Sequence, residues 1–140
     1  MENSYLMPRP IRGLFIIIFV AFVLNKTMIR PEVLSWEQFD LLKIFVLSFP
    51  NFCEAVMGSM IITALIKMGI NAGYLDNAFR RWGIELAILA AGIFVITQEL
   101  KIHNLGGRNV YDPYDVLFSI IGLSVSYFVL KKYQPLQYSR

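Results

Sequence analysis

The sequence holds one cysteine, Cys53, and one histidine, His103, among its 140 residues. A lone cysteine closes no internal disulfide, and without a Cys/His cluster nothing is spaced to ligate a metal. Cys53 reads as a small packing residue. Charge is also scarce: 16% of residues are charged, against about 25% in an ordinary soluble domain. The net charge of +3 is modest, and the basic residues stand at the margins of apolar runs. That is the pattern of membrane flanks rather than of a nucleic-acid surface. There is no internal repeat and no low-complexity segment. These shortages exclude a disulfide scaffold, a disordered tail and a basic nucleic-acid module, and they imply neither a metal nor a cofactor.

What is present is apolar. The hydrophobic share is 56%, and nine glycines add to it. A membrane-crossing helix uses about 20 residues, so the supply matches four short spans. The first low-charge run, Gly13 to Asn25, continues past Lys26 and is flanked by Arg9, Arg12 and Arg30. A secretory signal would also place basic residues before an apolar core. However, VLNKTMIR offers no small-x-small cleavage site, which favours an uncleaved span. Ser35 to Gln38 has the form of a capping box and predicts an interfacial helix that Pro50 ends or kinks. Between Lys43 and Lys67 only Glu54 is charged, and Gly69 is placed to end that span. Between Arg81 and Glu99 only Glu85 is charged.

The expected architecture is therefore an all-α membrane bundle forming one domain. Its spans fall at about 11–29, 51–67, 82–100 and 113–131, with the interfacial helix at about 36–49. Four spans put both termini on one side. Arg9, Arg12, Lys67, Arg80, Arg81, Lys131, Lys132 and Arg140 then share the terminal side, and Lys26, Arg30, Lys43, Lys101 and Arg108 the other. The positive-inside rule places the termini in the cytoplasm of a multi-pass protein of the cell membrane. Trp36, Trp82, Tyr111, Tyr114 and Tyr133 suit interfacial anchoring, and Lys67, Arg80 or Arg81 is the expected partner of Glu85.

This topology gathers polar residues at the outer side. Asn51 and Glu54 open the second span, Gln98 and Glu99 close the third, and His103, Asn104, Arg108 and Asp112 occupy the loop before Asp115. Charges near hydrocarbon are costly unless paired, and they normally face the bundle interior. Glu54, Glu99, Arg108, Asp112 and Asp115 thus form a candidate polar cluster, with the arginine able to bridge carboxylates or hold an anion. A second reading stands beside it. Glu54 and Asp112 sit where helix-capping acids sit, with Pro113 suited to the first helical position. Glu99 lies at a helix C-terminus, where the dipole disfavours a carboxylate. Asp115, Ser119, Gly122 and Ser126 recur at steps of four, three and four, and Gly58 and Gly92 mark similar close-packing faces on the second and third spans.

One ordered segment resembles a known family. It reads Gln98-Glu99, then Gly107-Arg108-Asn109-Val110-Tyr111-Asp112-Pro113-Tyr114-Asp115-Val116-Leu117, then Gly122. This is similar to the VanZ-like family of small bacterial integral membrane proteins, over roughly residues 80–130. Ser119 stands where the family often has Asn. The resemblance implies a cell-envelope protein linked to teicoplanin-type glycopeptide resistance.

Three functions follow as expectations. The first is a polar outer site for a lipid-linked cell-wall precursor or a glycopeptide. The second is a non-catalytic accessory or structural membrane subunit, alone as a homo-oligomer or with a membrane partner. The third is an intramembrane enzyme using Glu99 or Asp115 as general base on a lipid phosphate. Membrane lipids are the expected surroundings in all three.

Overall fold

The computed structural model describes residues 7–36, 40–99 and 112–137, with nothing placed for the Glu99 side chain. All regular structure among the described residues is helical. The first helix runs through α1 (Arg9–Leu24), a π-helical turn (Asn25–Ile29) and α2 (Arg30–Leu34). It is followed by α3 (Asp40–Asn71), α4 (Asn77–Glu99) and α5 (Pro113–Tyr133). Three helices are long and apolar enough to cross a membrane: Arg9–Leu34, Asp40–Asn71 and Pro113–Tyr133.

Each boundary has a local cause. Pro8 and Pro10 open α1, where a missing N–H is harmless. Asp112 caps α5, its carboxylate accepting the Tyr114 N–H at 2.9 Å, with Pro113 in the first turn. The end of α3 falls at Asn71, two residues beyond the expected Gly69. Gly73 adopts φ +77°, and the Tyr74 and Leu75 N–H groups return to the Gly69 carbonyl. A left-handed glycine after the last turn satisfies carbonyls that the helix leaves open.

One expectation is corrected here. The interfacial helix at 36–49 and the span from 51 are not separate, because from Asp40 onward they form the single 32-residue α3 with Pro50 inside it. At 1.5 Å per residue α3 is about 48 Å long. Proline removes one helical hydrogen bond, yet the helix continues through it, with aromatic contacts around this stretch. Phe45 stacks on Phe49, Phe49 on Phe52, and the edge of Phe45 meets Phe118 of α5 at 5.6 Å. Pro50 itself is buried in that packing.

The contacts define an up-and-down order. Lys26 reaches Glu54, while Ile11 and Phe15 lie beside Met60 and Ala64, so α1 is antiparallel to α3. Gly58 faces Ala91 and Gly83 faces Ile66, so α4 is antiparallel to α3. Gly92 faces Leu123, and Glu85 pairs with Lys131, so α5 is antiparallel to α4. The Glu85 partner is therefore Lys131 and not Lys67, Arg80 or Arg81: Glu85 points at α5 across the helix pair. Hence α3 and α5 run parallel, with Gly122 against Phe52 and the Ser126 hydroxyl donating to the Val56 carbonyl at 3.3 Å.

Beside an apolar core that includes Ile11, Val56, Met60 and Leu130, small polar residues occupy the helix contacts and large apolar residues cover the outside. Ser48, Ser59, Thr63, Ser119 and Ser126 are wholly buried, while Ile17, Phe94 and Phe128 are 63–71% exposed. Small polar residues at the helix contacts and large apolar ones outside are what a lipid-facing bundle requires. The described charges also separate by end. Arg9, Arg12, Lys67, Arg80, Arg81, Lys131 and Lys132 share one end with Asp76 and Glu85. Lys26, Arg30 and Lys43 share the other with Glu32, Asp40, Glu54, Asp112 and Asp115.

Candidate functional site

The acid-rich end holds the candidate site. Its centre lies between the parallel helices α3 and α5. Asp115, in the first turn of α5, has Ser48 and Asn51 of α3 beside its carboxylate and lies in the fields of Asp112 and Arg30. Ser48 and Asn51 stand within reach of that carboxylate, but their geometry leaves Oδ1 and the Ser48 hydroxyl, both buried, without a well-formed hydrogen bond. Ser119, one turn further along the same face of α5, is wholly buried with its hydroxyl also unpartnered.

These two serines stand apart from the other described hydroxyl residues within helices. Thr27, Ser59, Thr63, Thr97 and Ser124 each donate to a carbonyl of their own helix, at 2.6–2.9 Å for the bonds to Val23, Ala55, Ser59, Ile93 and Ile120. Ser126 donates across to Val56. A hydroxyl in an apolar bundle satisfies itself in this way at little cost. Ser48 and Ser119 do not, and both lie at the Asp115 end of the α3–α5 contact. A buried polar group left unpaired costs about 1–3 kcal/mol, so leaving three together is the local price of an arrangement open to another polar group.

A second polar group forms on the other side of α3. Glu54 is paired with Lys26 at 3.7 Å, and Lys26 also lies over the Phe22 ring at 4.6 Å. Lys26 belongs to the π-helical turn, whose first residue, Asn25, is 3% exposed with its Oδ1 unpartnered. The widened π turn closes its backbone through the Arg30 N–H to the Asn25 carbonyl. Such turns re-aim side chains and are frequent at functional sites.

The structure thus divides the predicted cluster. Asp115 is at its centre. Asp112 is the helix cap, close enough to act on Asp115 through its charge. Glu54 faces α1 and has its own cation. Glu99 ends α4 at the same end of the bundle. Arg108 and His103 lie outside the described residues. Gly58, Gly92, Ser119, Gly122 and Ser126 all lie at helix contacts. Asn25 is not singled out by the sequence, Lys26 and Arg30 read only as outer flanking cations, and Ser48 only as the start of the Ser48–Phe52 stretch compatible with the VanZ-like resemblance. The first three come from a run that reads as the tail of an apolar span, and a π turn has no sequence signature. Ser48 reads as the entry to the second span, with nothing in the sequence to place it beside Asp115. The available signal was weak: a polar Asn-Lys-Thr break inside an otherwise apolar run.

No family model, no curated protein and no solved structure matches this chain. The functional reading therefore rests on the residues and their placement.

Proposed function

We propose that this chain is a multi-pass protein of the cell membrane that binds a polar group at its outer face, between α3 and α5. Three helices supply the membrane-crossing length, and the antiparallel placement of α4 against both α3 and α5 supports a fourth crossing. The cation-rich end carries the described N-terminal residues and the end of α5, which favours cytoplasmic termini under the positive-inside rule.

The observation that carries the binding reading is the group of three unpartnered buried polar atoms: Ser48 Oγ, Asp115 Oδ1 and Ser119 Oγ. A carboxylate oxygen accepts and does not donate. Ser48 and Asn51 are near enough to share the carboxylate, and an outside group that completes it is a hydrogen-bond donor, an ammonium above all, with the Ser119 hydroxyl able to accept or donate. Lipid-linked precursors and glycopeptides both offer such donors. The VanZ-like resemblance of the Gln98–Gly122 segment supports glycopeptide resistance as the physiological setting.

The test is teicoplanin susceptibility of a bacterial host expressing the chain. Wild type is compared with Asp115→Asn, Ser48→Ala and Arg108→Ala, with the membrane abundance of each followed by a C-terminal tag. Protection by wild type that disappears in equally abundant Asp115→Asn supports the reading. An abundant wild type that gives no protection rejects the resistance role.

A further inference from the structure

The opposite, cation-rich end contains a cavity of about 400 Å³ between the start of α4 and the end of α5. Arg80, Arg81 and Lys131 line it together with the amides of Asn77, Gln134 and Gln137, over a floor that includes Ile84. Its walls are fixed. Asp76 starts α4 by accepting the Ala78 N–H at 3.0 Å. On the other side, Gln134 takes a left-handed φ of 41° and ends α5, and the Gln137 N–H closes a turn onto its carbonyl at 3.1 Å. That turn drives Pro135 and Leu136 into the core, where Leu136 is 3% exposed and packs against Gly83.

The chemistry of the lining is one-sided. Every polar side chain in it carries donors, and no carboxylate is among them. Lys131 is already engaged by Glu85. Among the described residues Arg80 and Arg81 form no ion pair, so no described carboxylate neutralises either guanidinium. The α4 N-terminus adds a partial positive charge. Arg81 lies over the exposed Trp82 ring at 5.2 Å, and an exposed tryptophan at a helix end sets this level at the lipid headgroups. Guanidinium groups bind phosphate oxygens bidentately, and basic pockets between helices at the cytoplasmic surface take anionic headgroups.

We propose that this cleft binds a phosphate-bearing anion, held chiefly by Arg80 and Arg81. The group is either the headgroup of an anionic phospholipid or a free phosphate. It is separate from the Asp115 site in place and in charge preference.

The experiment uses the full chain in phosphatidylcholine nanodiscs, with phosphatidylglycerol in the disc or inorganic phosphate in the buffer as probes. Bound probe is counted by native mass spectrometry, and Arg80→Gln/Arg81→Gln is compared with Arg9→Gln/Arg12→Gln. The second pair removes the same charge at the same end but lies outside the cleft. Loss of two charge-assisted contacts should weaken probe binding roughly tenfold in the first pair and leave it unchanged in the second. Retention of phosphatidylglycerol that millimolar phosphate does not displace identifies a lipid headgroup, and displacement identifies free phosphate; either supports the site. Equal binding in wild type and Arg80→Gln/Arg81→Gln overturns it, as does an equal loss in both pairs. If the first pair does not fold, phenylglyoxal labelling of wild type decides. Protection of Arg80 and Arg81 by a probe supports the cleft, and no protection overturns it.

Discussion

Gly122 of α5 sits directly on the Phe52 backbone of α3: a Cβ at position 122 would lie 2.6 Å from the Phe52 carbonyl oxygen and 3.0 Å from Ala55 Cβ. The neighbour is backbone, which cannot rotate away. Gly122→Ala must push the two helices apart and should cost about 1–3 kcal/mol. Gly58→Ala is the matched control, since its Cβ would meet only Ala91 Cβ at 3.9 Å. Thermal unfolding in detergent should show a clear loss for the first and little change for the second. Equal effects would mean that α3 and α5 do not meet at this point.

Glu85 and Lys131 join α4 to α5, each side chain about one-third exposed. Either single neutralisation, Glu85→Gln or Lys131→Gln, should lower stability by about 1 kcal/mol, because the pair is partly solvated. The exchange Glu85→Lys/Lys131→Glu should recover much of that loss. A swap no better than the sum of the single changes would place the two residues apart.

Asp112 and Asp115 are three residues apart and serve different ends. Asp112→Ala removes the cap on the Tyr114 N–H and should cost about 1 kcal/mol, whereas Asp112→Asn keeps the cap and should be nearly neutral. Asp115→Asn removes a charge from a site where one oxygen is unpartnered. It should leave the unfolding temperature unchanged or raised while abolishing the glycopeptide protection proposed for wild type. A destabilised Asp115→Asn would make that carboxylate a structural element.

The orientation is open to direct labelling. Cys53 is 0% exposed, so an alkylating reagent should reach it only after unfolding. Tyr74, in the turn after α3, is 87% exposed. In intact cells Tyr74→Cys should react with a membrane-permeant maleimide and resist an impermeant one. Reaction with the impermeant reagent would invert the proposed topology.

Some of this architecture is written plainly in the order of residues. Ile, Phe, Leu and Val occur in runs too long and too free of charge for a soluble domain, and the sequence Asp112-Pro113 marks a helix start by the conformational preferences of those two residues alone. The Asp115, Ser119, Gly122, Ser126 stripe is legible because three steps of helical period put small or polar groups on one side. Pro50 misleads because its effect on a helix is judged from the lost hydrogen bond. Phe45, Phe49 and Phe52 are spaced to stack within α3, but the Phe45–Phe118 contact that docks this stretch on α5 is invisible until α5 is in place.

The division of labour follows from the range of the forces. Local sequence determines which segments are helical and apolar, because backbone hydrogen bonding in lipid leaves an uninterrupted apolar segment little alternative to a helix. It also fixes which end of each helix is cationic. Only tertiary structure decides pairing. Lys131 rather than Lys67 meets Glu85, Lys26 meets Glu54 through a π turn, and Ser48 and Ser119 are left without partners beside Asp115. Those outcomes depend on how four helices rotate and slide against one another, and that is set by close contacts such as Gly122 on Phe52, between residues 70 positions apart.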